Sequence, residues 1–304
     1  MEPSDPEDLA RRVMELKKEA KATILAHNYQ RKEVQEVADF VGDSLELSRK
    51  ASTVKAKLIV FCGVRFMAET AAVVNPKATV LLPDPCAGCP LADTIDEDSL
   101  SELKKEHPRA KVVCYVNSSA AVKAMSDVCC TSANAVDVVR RLRDEEVIFI
   151  PDENLGRYVS SATGKEMVLY PGFCPPHMML KPEMVLAAKE RHPGAETMVH
   201  PECRSEVVDL ADAVLSTSQM LRYAKESAAR EFIVGTEVGL IHRLEKENPS
   251  KSFYPASKLL VCRDMKLTTL EKVAECIEGQ KHAVEVPGDV RARAARAIEK
   301  MLVE

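Results

Sequence analysis

AHNYQRKEVQEVADFVGDS, residues 26–44, is the first of three stretches that share one arrangement of polar residues. The second is CYVNSSAAVKAMSDVCCTS, residues 114–132, and the third is VHPECRSEVVDLADAVLST, residues 199–217. His27, Tyr115 and His200 serve as markers. Twelve residues after each stands an aspartate (Asp39, Asp127, Asp212), and seventeen after each a hydroxyl (Ser44, Ser132, Thr217). A cysteine follows each marker by 62, 59 and 62 residues: Cys89, Cys174 and Cys262. The markers lie 88 and 85 residues apart. That period exceeds a solenoid unit and matches a small α/β domain. Three such units about a pseudo-threefold axis would bring three equivalent cysteines to one point. Three thiolates at one point suggest a metal centre with an open position.

The surrounding sequence fits this scheme. Residues 5–20 read as a helix, with Leu9, Val13 and Leu16 at helical spacing and Asp5 as N-cap. Strands are expected at 22–27, 58–62, 79–82, 111–116, 147–150, 167–170, 196–200, 231–235 and 257–262, three per repeat. Apolar runs bounded by turn residues, with helical patterns between them, indicate parallel sheets covered by helices. The expected fold is α/β: three similar parallel-sheet domains, 1–104, 105–190 and 191–304, related by pseudo-threefold symmetry around a central active site. The segments PDPCAGCP, GFCPPH and VHPEC follow strands. They are therefore loops at strand C-termini, where open α/β sheets bind ligands.

Composition narrows the function. Of 304 residues, 42 are basic and 47 acidic, for a net charge of −5, and the signs are interspersed. This gives no electrostatic footprint for nucleic acid. No apolar run reaches the ~20 residues that span a bilayer, and the N-terminus has no signal-type apolar core. A cytoplasmic protein without membrane or nucleic-acid partners is expected. In that compartment ten cysteines point to ligands or buried thiols rather than disulfides.

Within the repeat, each marker closes a strand, a helix follows, and the hydroxyl opens another helix. Capping alone explains one such serine. Three copies aimed at one axis would form an anion pocket of helix N-termini without a basic surface. The aspartates, at the ends of the preceding helices, read as structural. Among the thiols, Cys86 and Cys89 form a C-x-x-C pair, but no second pair exists to complete a four-cysteine zinc site. The repeat spacing selects Cys89. Cys62, Cys114, Cys129, Cys130 and Cys276 sit in apolar or helical contexts and read as core thiols, as does Cys203. Three soft thiolates would leave one iron of a 4Fe–4S cube unligated, a Lewis acid for a substrate atom. His27, Asn28, Tyr29, Tyr115, Asn117, His200 and Glu202 follow strand ends, and His177 stands three residues after Cys174. Glu153 and Glu237 read as a matched pair that supports the site or caps helices. His107 and His192 lie in turns and receive no role.

At this point the chain resembles quinolinate synthase, the A-protein family of bacterial and archaeal NAD biosynthesis. The segments that carry the resemblance are AHNYQ, GDS, FCGVRFMAE, AGCPLAD, YVNSSA, TSANA, PDENLG, GFCPPH, HPEC, STSQM, GTEVGL and CRDMKLTTLE, from residue 26 to beyond residue 270. The resemblance implies three α/β domains around a central cavity. It also implies a 4Fe–4S cluster on Cys89, Cys174 and Cys262, the set that the spacing selects. The implied reaction condenses iminoaspartate (iminosuccinate) with dihydroxyacetone phosphate to quinolinate, phosphate and water, with an iminoaspartate-producing enzyme as functional partner. His27, Ser44, Tyr115, Asn117, Ser132, His177, His200, Glu202 and Thr217 would bind substrate, and Tyr29, His200 and Glu202 would be catalytic. Cys86 departs from the family pattern. Two other readings remain. One is an iron–sulfur hydro-lyase acting on another small acid; the other is a non-catalytic metal-binding or redox-sensing protein.

Overall fold

A computed structural model describes residues 5–142 and 145–302. Its strands form three four-stranded parallel sheets. The first comprises β1 (Ala22–His27), β2 (Phe40–Gly42), β3 (Leu58–Cys62) and β4 (Thr79–Leu81). The second comprises β5 (Lys111–Tyr115), β6 (Val128–Cys130), β7 (Val147–Ile150) and β8 (Val168–Leu169). The third comprises β9 (Glu196–Val199), β10 (Ala213–Val214), β11 (Glu231–Gly235) and β12 (Ser252–Pro255). Each sheet has one order: second strand, first, third, fourth. Chain direction across the sheet therefore reverses between the first and third strands, and a crevice opens at their C-terminal ends. The three markers stand at this switch point, His27 and Tyr115 as the last residues of β1 and β5 and His200 just after β9.

The central strands are apolar and buried along almost their full length, as sheets covered on both faces require. Register repeats with the order. Ala26 pairs with Cys62, Cys114 with Ile150, and Val199 with Gly235. Each aspartate of the sequence repeat closes the edge strand. Asp39, Asp127 and Asp212 accept a hydrogen bond at Oδ2 from the backbone N–H of Ile24, Val112 and Thr197, at 2.8, 2.9 and 2.7 Å. Their own N–H groups donate to the carbonyls of those same residues.

The strand expectations need two corrections. The edge strands β2, β6 and β10, of two or three residues, were not anticipated. They are too short to show alternation, and the aspartate clasps hold them in place. Residues 257–262 are not a strand; the fourth strand of the third sheet is β12, SFYP, upstream of them. Pro255 is tolerated because it ends an edge strand. The apolar run Leu259–Leu260–Val261 belongs instead to the loop before Cys262, with Leu260 buried and Leu259 exposed.

After that loop the chain leaves the third sheet. Helix Leu270–Gly279 packs on helix Pro6–Glu19 and on β3. Helix Gly288–Leu302 packs on Ala120–Ala124, β6 and Arg65–Val74. Lys300 Nζ donates to the Asp127 carbonyl and Asn134 Nδ2 to the Met301 carbonyl, at 2.8 and 3.1 Å. Among the described residues no helix is long and apolar enough to cross a membrane.

Candidate active site

The three crevices open into one cavity. All thirteen anticipated site residues line it: the three cysteines, Tyr29, and the nine residues expected to contact substrate. Three residues that follow the third strands explain how the cysteines reach it. Arg65, Glu153 and Val238 occupy equivalent positions just past β3, β7 and β11. Their N–H groups donate to the carbonyls of Ala87, Gly172 and Leu260, at 2.8, 2.8 and 3.0 Å. In every repeat the cysteine stands two residues after that carbonyl. Cys89, Cys174 and Cys262 are thus equivalent in backbone position as well as in spacing. Cys86 lies outside this register and is exposed.

The same register corrects one pairing. Glu237 matches Asp152, not Glu153, since each lies 37 residues after its marker. Both are fully buried. Glu237 accepts from the N–H of Cys262 at 3.2 Å and of Gly239 at 2.7 Å, and pairs with Lys266 at 2.9 Å. Asp152 accepts from Leu155 N–H at 2.7 Å and stands beside the Cys174 amide. Glu153 is instead partnered by Arg157 on the surface of its helix.

Glu202 is the polar centre of the cavity. Its Oε1 accepts the Tyr115 hydroxyl. His177 Nδ1 lies 2.7 Å from Oε2. His177 Nε2 is 2.8 Å from Thr236 Oγ1, which is 2.6 Å from the Tyr29 hydroxyl. A continuous hydrogen-bonded chain therefore joins Tyr29 to Tyr115. Burial works to raise the Glu202 pKa, but His177 beside it and the Tyr115 hydroxyl outweigh it and hold the carboxyl well below the usual range.

The two histidine markers use one local device. Tyr29 N–H donates to His27 Nδ1 at 3.1 Å, and Glu202 N–H to His200 Nδ1 at 3.3 Å. Each Nδ1 is an acceptor, so the proton of the neutral ring sits on Nε2. The 3.8 Å approach of His200 Nδ1 to Glu202 is then not an ion pair. Burial holds both rings neutral, with pKa values near 3. Nearby His200 and Lys266 reinforce this for His27.

The hydroxyls are released from capping. Asp43 caps the helix Ser44–Thr53, accepting from Leu45 and Glu46 N–H. Ser216 caps the helix Thr217–Glu226. Ser44 and Thr217 are the first residues inside those helices rather than their caps. Ser132 lies three residues before the helix Ala135–Arg140, so it does not open that helix. Ser132 Oγ is 3.2 Å from His200 Nε2, and Thr217 Oγ1 is 2.9 Å from Asn28 Nδ2. Among the described cavity-lining residues there is no lysine or arginine. An anion here is met by neutral donors.

The family model described as quinolinate synthetase A protein matches residues 11–303. The chain belongs to the quinolinate synthetase A family. It is 54% identical over 294 residues to a quinolinate synthase of Dehalococcoides mccartyi, covering 97% of both chains. Quinolinate synthase 1 of Methanosarcina acetivorans is 53% identical over 295 residues, again 97% of both chains. The quinolinate synthase of Thermodesulfovibrio yellowstonii is 52% identical over 291 residues, 95% of this chain and 96% of that one.

For a member of this family the thiols are the first question. Burial pushes all three cysteine pKa values up, Cys262 to about 11. Cys262 adds to the effect at Cys89, and Glu202 and Cys89 add to it at Cys174, so the three sense one another across the cavity. Such thiols stay protonated until a cation displaces their protons. Cys174, His177 and Glu202 offer a second donor set within 4.8 Å. There, however, His177 and Glu202 already satisfy each other at 2.7 Å. The all-thiol set fits an iron–sulfur cluster better. Thr236, Asn28 and Asp152 escaped sequence reasoning in these roles. Asp152 could have been found by extending the repeat to 37 residues past the marker, where it matches Glu237; at 36 residues Gly63, Pro151 and Thr236 share no character, so the repeat carries no signal for Thr236.

Proposed function

We propose that the protein is a cytoplasmic quinolinate synthase. It condenses iminoaspartate with dihydroxyacetone phosphate to quinolinate, phosphate and water. Cys89, Cys174 and Cys262 would hold a 4Fe–4S cluster. The observation that carries the reading is the equivalent placement of these cysteines on the cavity that also holds Tyr29, His177, His200 and Glu202. When bound, the cluster supplies an iron without a fourth protein ligand, a Lewis acid for a substrate oxygen.

The chain's own residues bind, orient and move protons. Ser132 and Thr217 donate to substrate carboxylates, and Ser44, at a helix N-terminus, to a phosphate or carboxylate. Asn117 and the His27 Nε2–H complete the polar wall. Ring closure needs one C–C and one C–N bond, with enamine–imine and aldose–ketose shifts between them. Those shifts call for proton carriers on both sides of the substrate. Tyr29 and Glu202 serve, connected through Thr236 and His177. The Glu202 carboxylate, bonded to the Tyr115 hydroxyl and to His177, forms the acceptor end of this chain. Iminoaspartate must come from an enzyme that oxidises an amino acid to its imine. An anaerobic assay for quinolinate with both substrates and cluster-loaded protein tests this reading. Dehydration of another hydroxy acid, with no phosphate released from dihydroxyacetone phosphate, would favour the hydro-lyase.

A further inference from the structure

The structure assigns Arg243 and Asn28 a positioning role: together they fix the Thr217 hydroxyl as a donor toward the cavity. The inference rests on the reading that the cavity binds a carboxylated substrate. Arg243 lies in the helix Gly239–Glu247 of the third repeat and reaches across to the first. Its Nη1 donates to Asn28 Oδ1 and to the Val41 carbonyl, both at 2.8 Å. Its Nε donates to Glu247 Oε1 at 2.6 Å, which holds the guanidinium in place. Asn28 is completely buried between the two repeats.

The direction of every bond in this chain is forced. A guanidinium has donors and no acceptor. The Asn28 atom facing it must therefore be the oxygen, because the flipped amide would set NH₂ against N–H. The amide nitrogen is then the atom facing Thr217 Oγ1, and it can only donate. Asn28 thus takes up an acceptor site of the Thr217 oxygen, and the hydroxyl proton is left to point elsewhere. Thr217 is buried and lines the cavity. A carboxylate oxygen opposite it meets that free proton, so the hydroxyl can donate to the ligand. Ser132 reaches the same state by another route, since His200 Nε2–H occupies its oxygen. Two hydroxyls from different repeats are thus both set to donate. A cavity without cationic side chains selects anions in this way.

The test titrates quinolinate, a dicarboxylate, into anaerobic cluster-loaded protein by calorimetry. Asn28→Asp presents an acceptor to Thr217 and draws its proton inward. Arg243→Met frees the Asn28 amide to rotate. Each is made alone and with Thr217→Val. The expected result is a dissociation constant raised about tenfold or more by Asn28→Asp, the scale of one charge-assisted hydrogen bond. Arg243→Met should raise it less. Changed charge acts on an anion whether or not Thr217 is present, so the decisive quantity is the coupling. In the Thr217→Val background the Asn28→Asp loss should shrink at least about fivefold and the smaller Arg243→Met loss should all but vanish. Equal losses in both backgrounds, or unaltered binding by Asn28→Asp, overturn the assignment. If the parent ignores quinolinate but binds another small carboxylate such as malate, the same cycle run with malate decides the positioning role. Only the substrate identity is then lost.

Discussion

Tyr115, from the second repeat, donates its hydroxyl to the Glu202 carboxylate of the third. The contact joins two repeats at the centre of the cavity, and it leaves one carboxylate oxygen to His177. Replacing the charge should disable proton transfer without dismantling the fold. Glu202→Gln and Tyr29→Phe keep shape and lose a titratable group. Each should retain iron and melting temperature and turn over at least ~100-fold more slowly, the usual contribution of a general acid–base. Either variant making quinolinate at close to the parent rate would remove that residue from the mechanism.

The cysteines should divide three against seven. Cys89→Ser, Cys174→Ser and Cys262→Ser are each expected to lose the brown colour and most of the iron. Cys86→Ser should keep both, because Cys86 is exposed and off the shared register. Iron analysis after anaerobic reconstitution decides it. A colourless Cys86→Ser beside a brown Cys89→Ser would exchange their roles.

Capping and binding can be separated at adjacent residues. Ser216→Ala removes a cap and should cost about 1 kcal/mol of stability. Thr217→Ala also leaves the buried Asn28 Nδ2 without its acceptor and loses stability, but unlike Ser216→Ala it should weaken substrate binding, by a factor that about 1–3 kcal/mol would give. Ser132→Ala should behave like Thr217→Ala. Denaturation curves and steady-state kinetics on the three variants check the split, and a large stability loss in Thr217→Ala with unaltered kinetics would reverse it.

His27 and His200 make cluster-free protein sensitive to mild acid. Their folded pKa values lie near 3, below the ordinary 6.5. As pH falls through 6.5 the unfolded chain takes up protons that the folded one refuses, so stability falls with pH. From pH 7 to 5 the loss should be roughly 2 kcal/mol per histidine, above the range where unfolded carboxylates titrate. Urea denaturation at pH 7, 6 and 5 measures it. A flat profile would show that these rings are protonated in the folded protein.

Much of this molecule could be read without coordinates because it is built three times over. Spacing from His27, Tyr115 and His200 located the hydroxyls, the aspartates and the cysteines. It chose Cys89 over Cys86, and the backbone register agrees. Periodicity found the six central strands, whose burial on both faces leaves long apolar runs. It failed at β2, β6 and β10, where two or three residues carry no period. It also took Leu259–Val261 for a strand, because an apolar run does not say whether a sheet edge is free to receive it. The Glu153–Glu237 pairing slipped by one residue, since acidic side chains in both positions hid the register. Asn28 and Arg243 were beyond reach. Their roles depend on which atom faces which across two repeats, and no local pattern encodes that.

The last two helices return to the first and second sheets, and each repeat contributes one of the three cysteines. A ribosome-bound chain therefore presents the thiols in instalments, at residues 89, 174 and 262, and the closing helix arrives only after all three. Anything held by all three thiols at once would have to wait until residue 262 has been made. Loading would then come late in synthesis, and a chain cut short of residue 262 should hold nothing there.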